Sequence, residues 1–201
     1  MNSLLTTFID SLFPPSDEAL LVRNLRSEEV SNLVRVTPIP HGYAFTRYTD
    51  KHIRALIHEA KFQRNKGAFT LLNALFRIGL QALDLKADLI VPVPLSSHRL
   101  RARGYNQVYE ILSAGDAPPD IPIVADALIR VRDTRPQTEL SRTERLSNLS
   151  GAFRVTRPEH IKGKNIFLVD DVMTTGATMA MARDVLMEAS PASVTCMTLA
   201  H

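Results

Sequence analysis

The chain has 201 residues, 45% hydrophobic and 22% charged, with a formal net charge of +3. That length suits one α/β domain with a small appendage, and no apolar run is long enough to span a bilayer, so membrane insertion is not expected. A single cysteine, Cys196, excludes an intrachain disulfide and a multi-cysteine zinc site, while the mild positive charge permits a polyanionic partner without arguing for one.

At the N-terminus, Leu4, Leu5, Phe8, Ile9 and Leu12 share one helical face, which predicts a short docked helix. The segment carries Asp10 and lacks the basic start of a signal peptide, and the expected compartment is the cytoplasm. Residues 14–50 are poorly periodic and contain Pro14, Pro15, Pro38 and Pro40. They read as an appendage with one helical piece near Asp17 to Leu25, so the expected division is 1–47 and 48–201. Thr49-Asp50 caps a helix that runs to Phe62 with Ile53, Leu56, Ile57 and Ala60 as its apolar face. A second helix follows from about Gly67 to Leu83. Asp88 to Pro94 reads as a strand ending in a loop, Leu95 to Gly104, and Tyr105 to Leu112 as a helix. Ala125 to Val131 is strand-like.

Arg132 to Gly151 is long, polar and charged, with Pro136 inside it. Loops of that length are uncommon and usually functional. From Arg130 to Leu149 the chain reads equally as a mobile lid and as a solvated surface helix, since Glu139, Arg142, Thr143, Arg145 and Leu146 also fit helical spacing. Ser193 to Leu199 is a final strand in which Cys196 serves as a small buried hydrophobe. Strands that alternate with helices predict a mostly parallel, twisted sheet with right-handed crossovers.

The most informative segment precedes that last strand. Ile166-Phe167-Leu168-Val169 is a short buried strand, and Asp170 and Asp171 sit at its C-terminal end. Val172-Met173-Thr174-Thr175-Gly176-Ala177-Thr178 is a small, hydroxyl-rich turn that opens into a helix reaching about Ala189. In open α/β sheets, ligands bind outside the carboxyl ends of the strands, and a helix N-terminus there favours an anion. Ionised carboxylates only accept hydrogen bonds, so the acid pair suits sugar hydroxyls or a hydrated cation. Phosphate at the turn and ribose at the acids make a site for a phosphorylated sugar. A Walker B strand also ends in acids, but it needs a G-x-x-x-x-G-K-[ST] partner, and no such run occurs. No G-x-G pair occurs either, which excludes a dinucleotide fingerprint. The plainer alternative is an ordinary strand-to-helix turn.

Three arginines, Arg99, Arg101 and Arg103, crowd the segment after the Asp88–Pro94 strand. Guanidinium forks bind phosphate oxygens bidentately, and a pyrophosphate leaving group needs such a clamp. The bland counterpart is a solvated basic loop. Lys61 ends an amphipathic helix, where a cation favours the dipole in any case. The six histidines form no metal-binding pattern.

The segment Asp170 to Thr178 resembles the phosphoribosyl-diphosphate (PRPP) loop of type I phosphoribosyltransferases, with its Asp-Asp pair and Thr-Thr-Gly-x-Thr turn. A wider set of residues resembles the ComF-type (GntX-like) phosphoribosyltransferase-domain proteins, which are associated with competence for DNA uptake. That set comprises Ala60-Lys61-Phe62, Val91-Pro92-Val93-Pro94-Leu95, and Arg103-Gly104-Tyr105-Asn106-Gln107. It also includes Arg130 with Gln137, Leu140, Arg145, Asn148, Gly151, Ala152 and Phe153. The likeness runs from about Tyr48 to Ala200. Such proteins commonly open with a multi-cysteine zinc module after a segment like Phe13-Pro14-Pro15; here those cysteines are missing and no zinc is expected.

The resemblance implies a type I phosphoribosyltransferase-like α/β fold with a small N-terminal hood. It implies Mg²⁺-dependent transfer of phosphoribosyl to a base or amine with release of pyrophosphate. Asp170 and Asp171 would hold ribose and Mg²⁺, the metal through water, and Val172, Met173, Thr174, Thr175, Gly176, Ala177 and Thr178 would hold the 5′-phosphate. Lys61, Arg99, Arg101 and Arg103 would take pyrophosphate, while Arg132, Arg135, Gln137, Arg142 and Arg145 would belong to a flexible loop. The expected ligand is PRPP or a ribose 5-phosphate nucleotide. The alternative is a non-catalytic PRPP- or nucleotide-binding module acting in DNA uptake or regulation, with single-stranded DNA or competence proteins as partners. A homodimer is left open.

Overall fold

The computed structural model describes residues 15–114, 121–132 and 151–201. Helix α1 (Asp17–Asn24) begins at Ser16, whose Oγ accepts from the Ala19 N–H at 3.1 Å, and a short α2 (Ser27–Ser31) follows. Strands β1 (Thr37–Ile39) and β2 (Gly42–Thr46) then form an antiparallel hairpin. Asp50 caps α3 (Lys51–Phe62), accepting from the His52 N–H at 2.8 Å, and Asn65 caps α4 (Lys66–Leu83). The two caps start the helices where the apolar stripes begin, as expected of short side chains that satisfy free N–H groups.

Strand β3 (Leu89–Pro92), α5 (Ser97–Arg103) and α6 (Gln107–Leu112) come next. Strands β4 (Leu128–Arg130) and β5 (Phe153–Val155) form a separate antiparallel ribbon. The chain closes with α7 (Pro158–Ile161), β6 (Asn165–Val172), α8 (Ala177–Glu188) and β7 (Ser193–Ala200). The main sheet has five strands in the order β1-β2-β7-β6-β3, parallel everywhere except between β1 and β2. This is the mostly parallel α/β fold expected from the alternation of strands and helices.

Period-two alternation along the central strands builds two cores. Phe167 and Val169 of β6, with Met197 and Leu199 of β7, face α3, α4 and α6 and pack with Leu56, Leu72 and Phe76. Ile166 and Leu168, with Val194 and Cys196, face the other way toward Met179 and Leu186 of α8. Both layers anchor β6, so its acidic C-terminal end is held from two sides. Truncating a buried ring such as Phe167 would cost roughly 3–5 kcal/mol.

Three expectations change. Leu95 to Gly104 is a helix over most of its length rather than a loop: Ser96 caps it, accepting from the Arg99 N–H at 3.3 Å, and Gly104 ends it at φ 80°. No residue of α5 is buried, so no apolar stripe marks it in the sequence, although Arg, Leu and Ala are good helix formers. The hairpin at residues 37–46 lies inside the expected appendage yet joins the main sheet through β2 and β7, so a division at 47/48 does not separate the sheet. The strand-like run Ala125 to Val131 narrows to β4. The expected N-terminal helix over Leu4 to Leu12 lies outside the described residues, as does all of the charged stretch from 133 to 150.

Candidate active site

Parallel pairing of β6 with β7 ends at Val172, and the Met173 N–H donates to Ala200 O at 3.0 Å. The chain then turns through Thr174 and Thr175 to Gly176, the first residue before α8, at φ 76°. That left-handed conformation suits glycine, and an added Cβ would lie 3.4 Å from Met173 Sδ. Asp170 and the run from Val172 to Met179 enclose a nook of about 50 Å³ at the start of the twelve-residue α8. N–H groups in the first turn of a helix have no intrahelical partner and favour an anion; here the Ala177 N–H points at Thr175 Oγ1 at 3.5 Å.

The two acids differ. Asp171 is buried, and Lys61 Nζ lies 2.9 Å from its Oδ1 while Gln107 Nε2 donates to its Oδ2. Asp170 accepts the Asp171 N–H on Oδ1 at 2.9 Å. Burial, followed by the charge of Asp171, raises the Asp170 carboxyl to about 7, against the pull of Lys61 and Arg99. The site therefore holds one acid in an ion pair and a second whose ionised form is disfavoured first by burial and then by the charge beside it.

Outside the nook opens a cleft of about 720 Å³, within the ordinary size for a small-molecule site. Lys61, Arg99, Arg103, Asp170, Asp171, Val172, Thr174 and Thr178 line it. Arg99 and Arg103 are one helical turn apart and share a face of α5, which is why both reach the cleft. Arg101 falls on another face, is exposed, and does not line the cleft. Met173, Thr175, Gly176 and Ala177 line the nook only. Arg132 is exposed and lines neither. Arg135, Gln137, Arg142 and Arg145 lie outside the described residues.

Ten further residues line the cleft outside the expected site set, among them Tyr48, Phe62, His98, Gln107 and Arg130, which come from different places in the fold. Tyr48 arrives because its N–H donates to His201 O at 3.0 Å, beside the end of β7. Exposed Phe62 carries the Arg103 guanidinium 5.4 Å from its ring centroid. His98 lies on α5, and Gln107 opens α6. Arg130 also lines the cleft, from the β4–β5 ribbon, where its guanidinium stacks 5.5 Å from the Phe153 centroid. Phe62 and Gln107 carried a signal only as members of the segments that bear the ComF-type likeness, while Arg130 also opens the charged stretch that reads as a lid or a surface helix. Among the described residues no three His, Cys, Asp or Glu side chains gather into a metal site.

Residues 61–201 match the family model described as the phosphoribosyl transferase domain. The chain belongs to that family, in its ComF/YhgH group. Competence protein ComFC of Bacillus subtilis (strain 168) is 38% identical over 57% of this chain and 45% of its own length. DNA utilization protein YhgH of Escherichia coli (strain K12) is 33% identical over 69% of this chain and 63% of its own. The chain thus spans about half to just under two thirds of these curated relatives. Among solved structures, the glutamine PRPP amidotransferase from B. subtilis complexed with ADP and GMP is 20% identical, with a TM-score of 0.43. It covers 70% of this chain and 30% of its own. The matched phosphoribosyl transferase domain begins at Lys61, so every other cleft residue falls inside it and only Tyr48 comes from before it. No helix among the described residues is long and apolar enough to cross a membrane.

Proposed function

We propose that this chain binds PRPP with Mg²⁺ and transfers the phosphoribosyl group to a nitrogen of a base or amine, releasing pyrophosphate. The observation that carries this reading is the shared wall at Asp170, which borders both the anion nook and the cationic cleft. One ligand with a phosphate at each end and a sugar between them fits that sequence of surfaces. The 5′-phosphate takes the N–H groups and hydroxyls between Thr174 and Thr178, with Gly176 allowing the closest approach. The acid pair lies on the ribose side. Lys61, Arg99 and Arg103 receive the pyrophosphate.

The residues fit a magnesium ion held mainly by the substrate. Both Asp171 oxygens are already engaged, and Asp170 is an under-compensated acid that a hydrated cation would neutralise. When bound, the cation supplies charge for the departing pyrophosphate. The acceptor nitrogen forms its bond to C1 as the C1–oxygen bond breaks, the electron pair leaves with pyrophosphate, and the nitrogen proton passes to solvent. Arg99 and Arg103 stabilise the charge that grows on the leaving oxygens. The rest of the rate comes from holding the reactants in line.

A second reading keeps the ligand and drops the transfer: a PRPP- or nucleotide-binding module acting in DNA uptake or regulation. The names of the relatives, competence and DNA utilization, favour it. Calorimetry of PRPP with and without Mg²⁺ tests the shared part, and a screen of acceptor bases and amines for pyrophosphate release separates the two. A folded protein that binds neither PRPP, nucleoside monophosphates nor phosphate refutes both.

A further inference from the structure

Along the cleft wall beside the acids runs a chain of polar contacts that crosses four elements. Arg103 Nη1, at the end of α5, donates to Gln107 Oε1, and Gln107 Nε2 donates to Asp171 Oδ2. Lys61, in the last turn of α3, closes the chain on Asp171 Oδ1. Gln107 is 3% exposed, and Asn106 pins it in place. The Asn106 Oδ1 accepts the Val108 N–H at 3.0 Å, and its Nδ2 donates to Val93 O at 3.0 Å, just past β3.

An amide meets every demand of this position. The site needs an acceptor for a guanidinium on one side, a donor for a carboxylate on the other, and no charge of its own. A carboxylate would set another anion against Asp171, and an aliphatic chain would strip a partner from a buried charge. The same chain divides the acid pair. Asp171 has both oxygens engaged by protein side chains, whereas no hydrogen bond from the described residues reaches Asp170 Oδ2. Asp170 alone of the two borders both the nook and the cleft.

We propose that Gln107 is a positioning residue that ties Arg103 to Asp171, so that Asp171 acts as a bracket and Asp170 is the acid that meets the ligand. The proposal rests on the PRPP reading above and assigns unequal work within it. Arg103 sits on the pyrophosphate side and Asp171 beneath the ribose side, so Gln107 holds the two halves of the site in one register.

The test uses the full chain with PRPP and Mg²⁺, with inorganic phosphate, and with urea. Gln107→Met keeps the length and removes both amide contacts. PRPP affinity should fall about tenfold or more, the scale of a lost hydrogen bond to a charged group. Phosphate affinity should stay within about twofold, because the nook does not touch Gln107. Gln107→Glu should weaken PRPP further, since it faces Asp171 with a like charge. In a urea cycle of Gln107→Met, Asp171→Asn and the double variant, the unfolding constants should be non-additive by about fivefold. The proposal is overturned if both Gln107 variants bind PRPP as wild type does, if Gln107→Met loses PRPP and phosphate equally, or if the cycle is additive. A wild-type chain that does not bind PRPP refutes the ligand reading instead, and the urea cycle then decides the role of Gln107 by itself.

Discussion

Replacing Asp170 with asparagine should move stability and binding in opposite directions. Burial and the neighbouring charge of Asp171 raise its carboxyl from an ordinary 3.8 to about 7 in the folded chain. A group whose folded value exceeds its unfolded value favours the fold while protonated. That contribution is complete below about pH 4 and drains away as pH rises through about 7. At about 1.4 kcal/mol per unit, the shift sets an upper limit near ~4 kcal/mol on what ionised Asp170 costs the ligand-free fold at pH 8. Its carboxyl keeps some contact with the cleft, and water there reduces the cost to on the order of 2 kcal/mol. An asparagine in its place would carry the neutral shape at every pH, so Asp170→Asn should raise Tm by roughly 4–8 °C at pH 8 and leave it unchanged near pH 4. Thermal unfolding in chelator across that range reads the effect. The same variant should lose about tenfold to a hundredfold in PRPP affinity, because ribose and hydrated Mg²⁺ need an anionic acceptor. Bare phosphate should bind as well as before or slightly better. Lower stability at pH 8 would refute the electrostatic argument, and unchanged PRPP affinity in the folded variant would refute the site.

Gly176→Val should abolish both phosphate and PRPP binding: φ is 76° there, a region that costs a side-chain-bearing residue roughly 1–2 kcal/mol, and the new methyls crowd the nook. Titration with phosphate, with circular dichroism to confirm the fold, checks it, and wild-type phosphate affinity contradicts it. Arg99→Ala and Arg103→Ala should weaken PRPP about tenfold each, while Arg101→Ala stays within about twofold because Arg101 misses the cleft. Should all three instead weaken single-stranded DNA alike and flatten its salt dependence, α5 serves a strand backbone rather than pyrophosphate. With one cysteine in 201 residues, the protein should keep its far-ultraviolet dichroism in a strong chelator and hold no stoichiometric zinc by elemental analysis.

What was legible before the structure was local. The strand, acids, turn and helix of Ile166 to Met187 follow one another without interruption, and α3 and α4 announce themselves by a cap and an apolar stripe. Helix α5 had a cap and a terminal glycine but no buried face, so periodicity was silent and the arginines could be placed near the site but not sorted. Helical phase sorts them, sending Arg99 and Arg103 into the cleft and Arg101 away. The β1–β2 hairpin was illegible for a different reason. Its strands are short, and the demand for glycine at Gly42 comes from Cys196, whose carbonyl oxygen would lie 1.7 Å from an added Cβ.

Distance along the chain also explains why Gln107 stood out only as part of a resemblance. The partner that gives its amide meaning, Asp171, is 64 residues away, and the lysine on the other side of that carboxylate belongs to a third segment. Groups that touch a ligand can share one turn, because a single strand end and helix start present them together. Groups that hold those residues in place must come from elements packed behind them, and in a parallel sheet such neighbours are separated by whole crossovers. Lys61, Gln107 and Asp171 meet only because α3 and α6 cover the same face of β6. A motif therefore identifies the acid pair, but telling the acid that binds from the acid that braces requires knowing which side chains already hold each carboxylate.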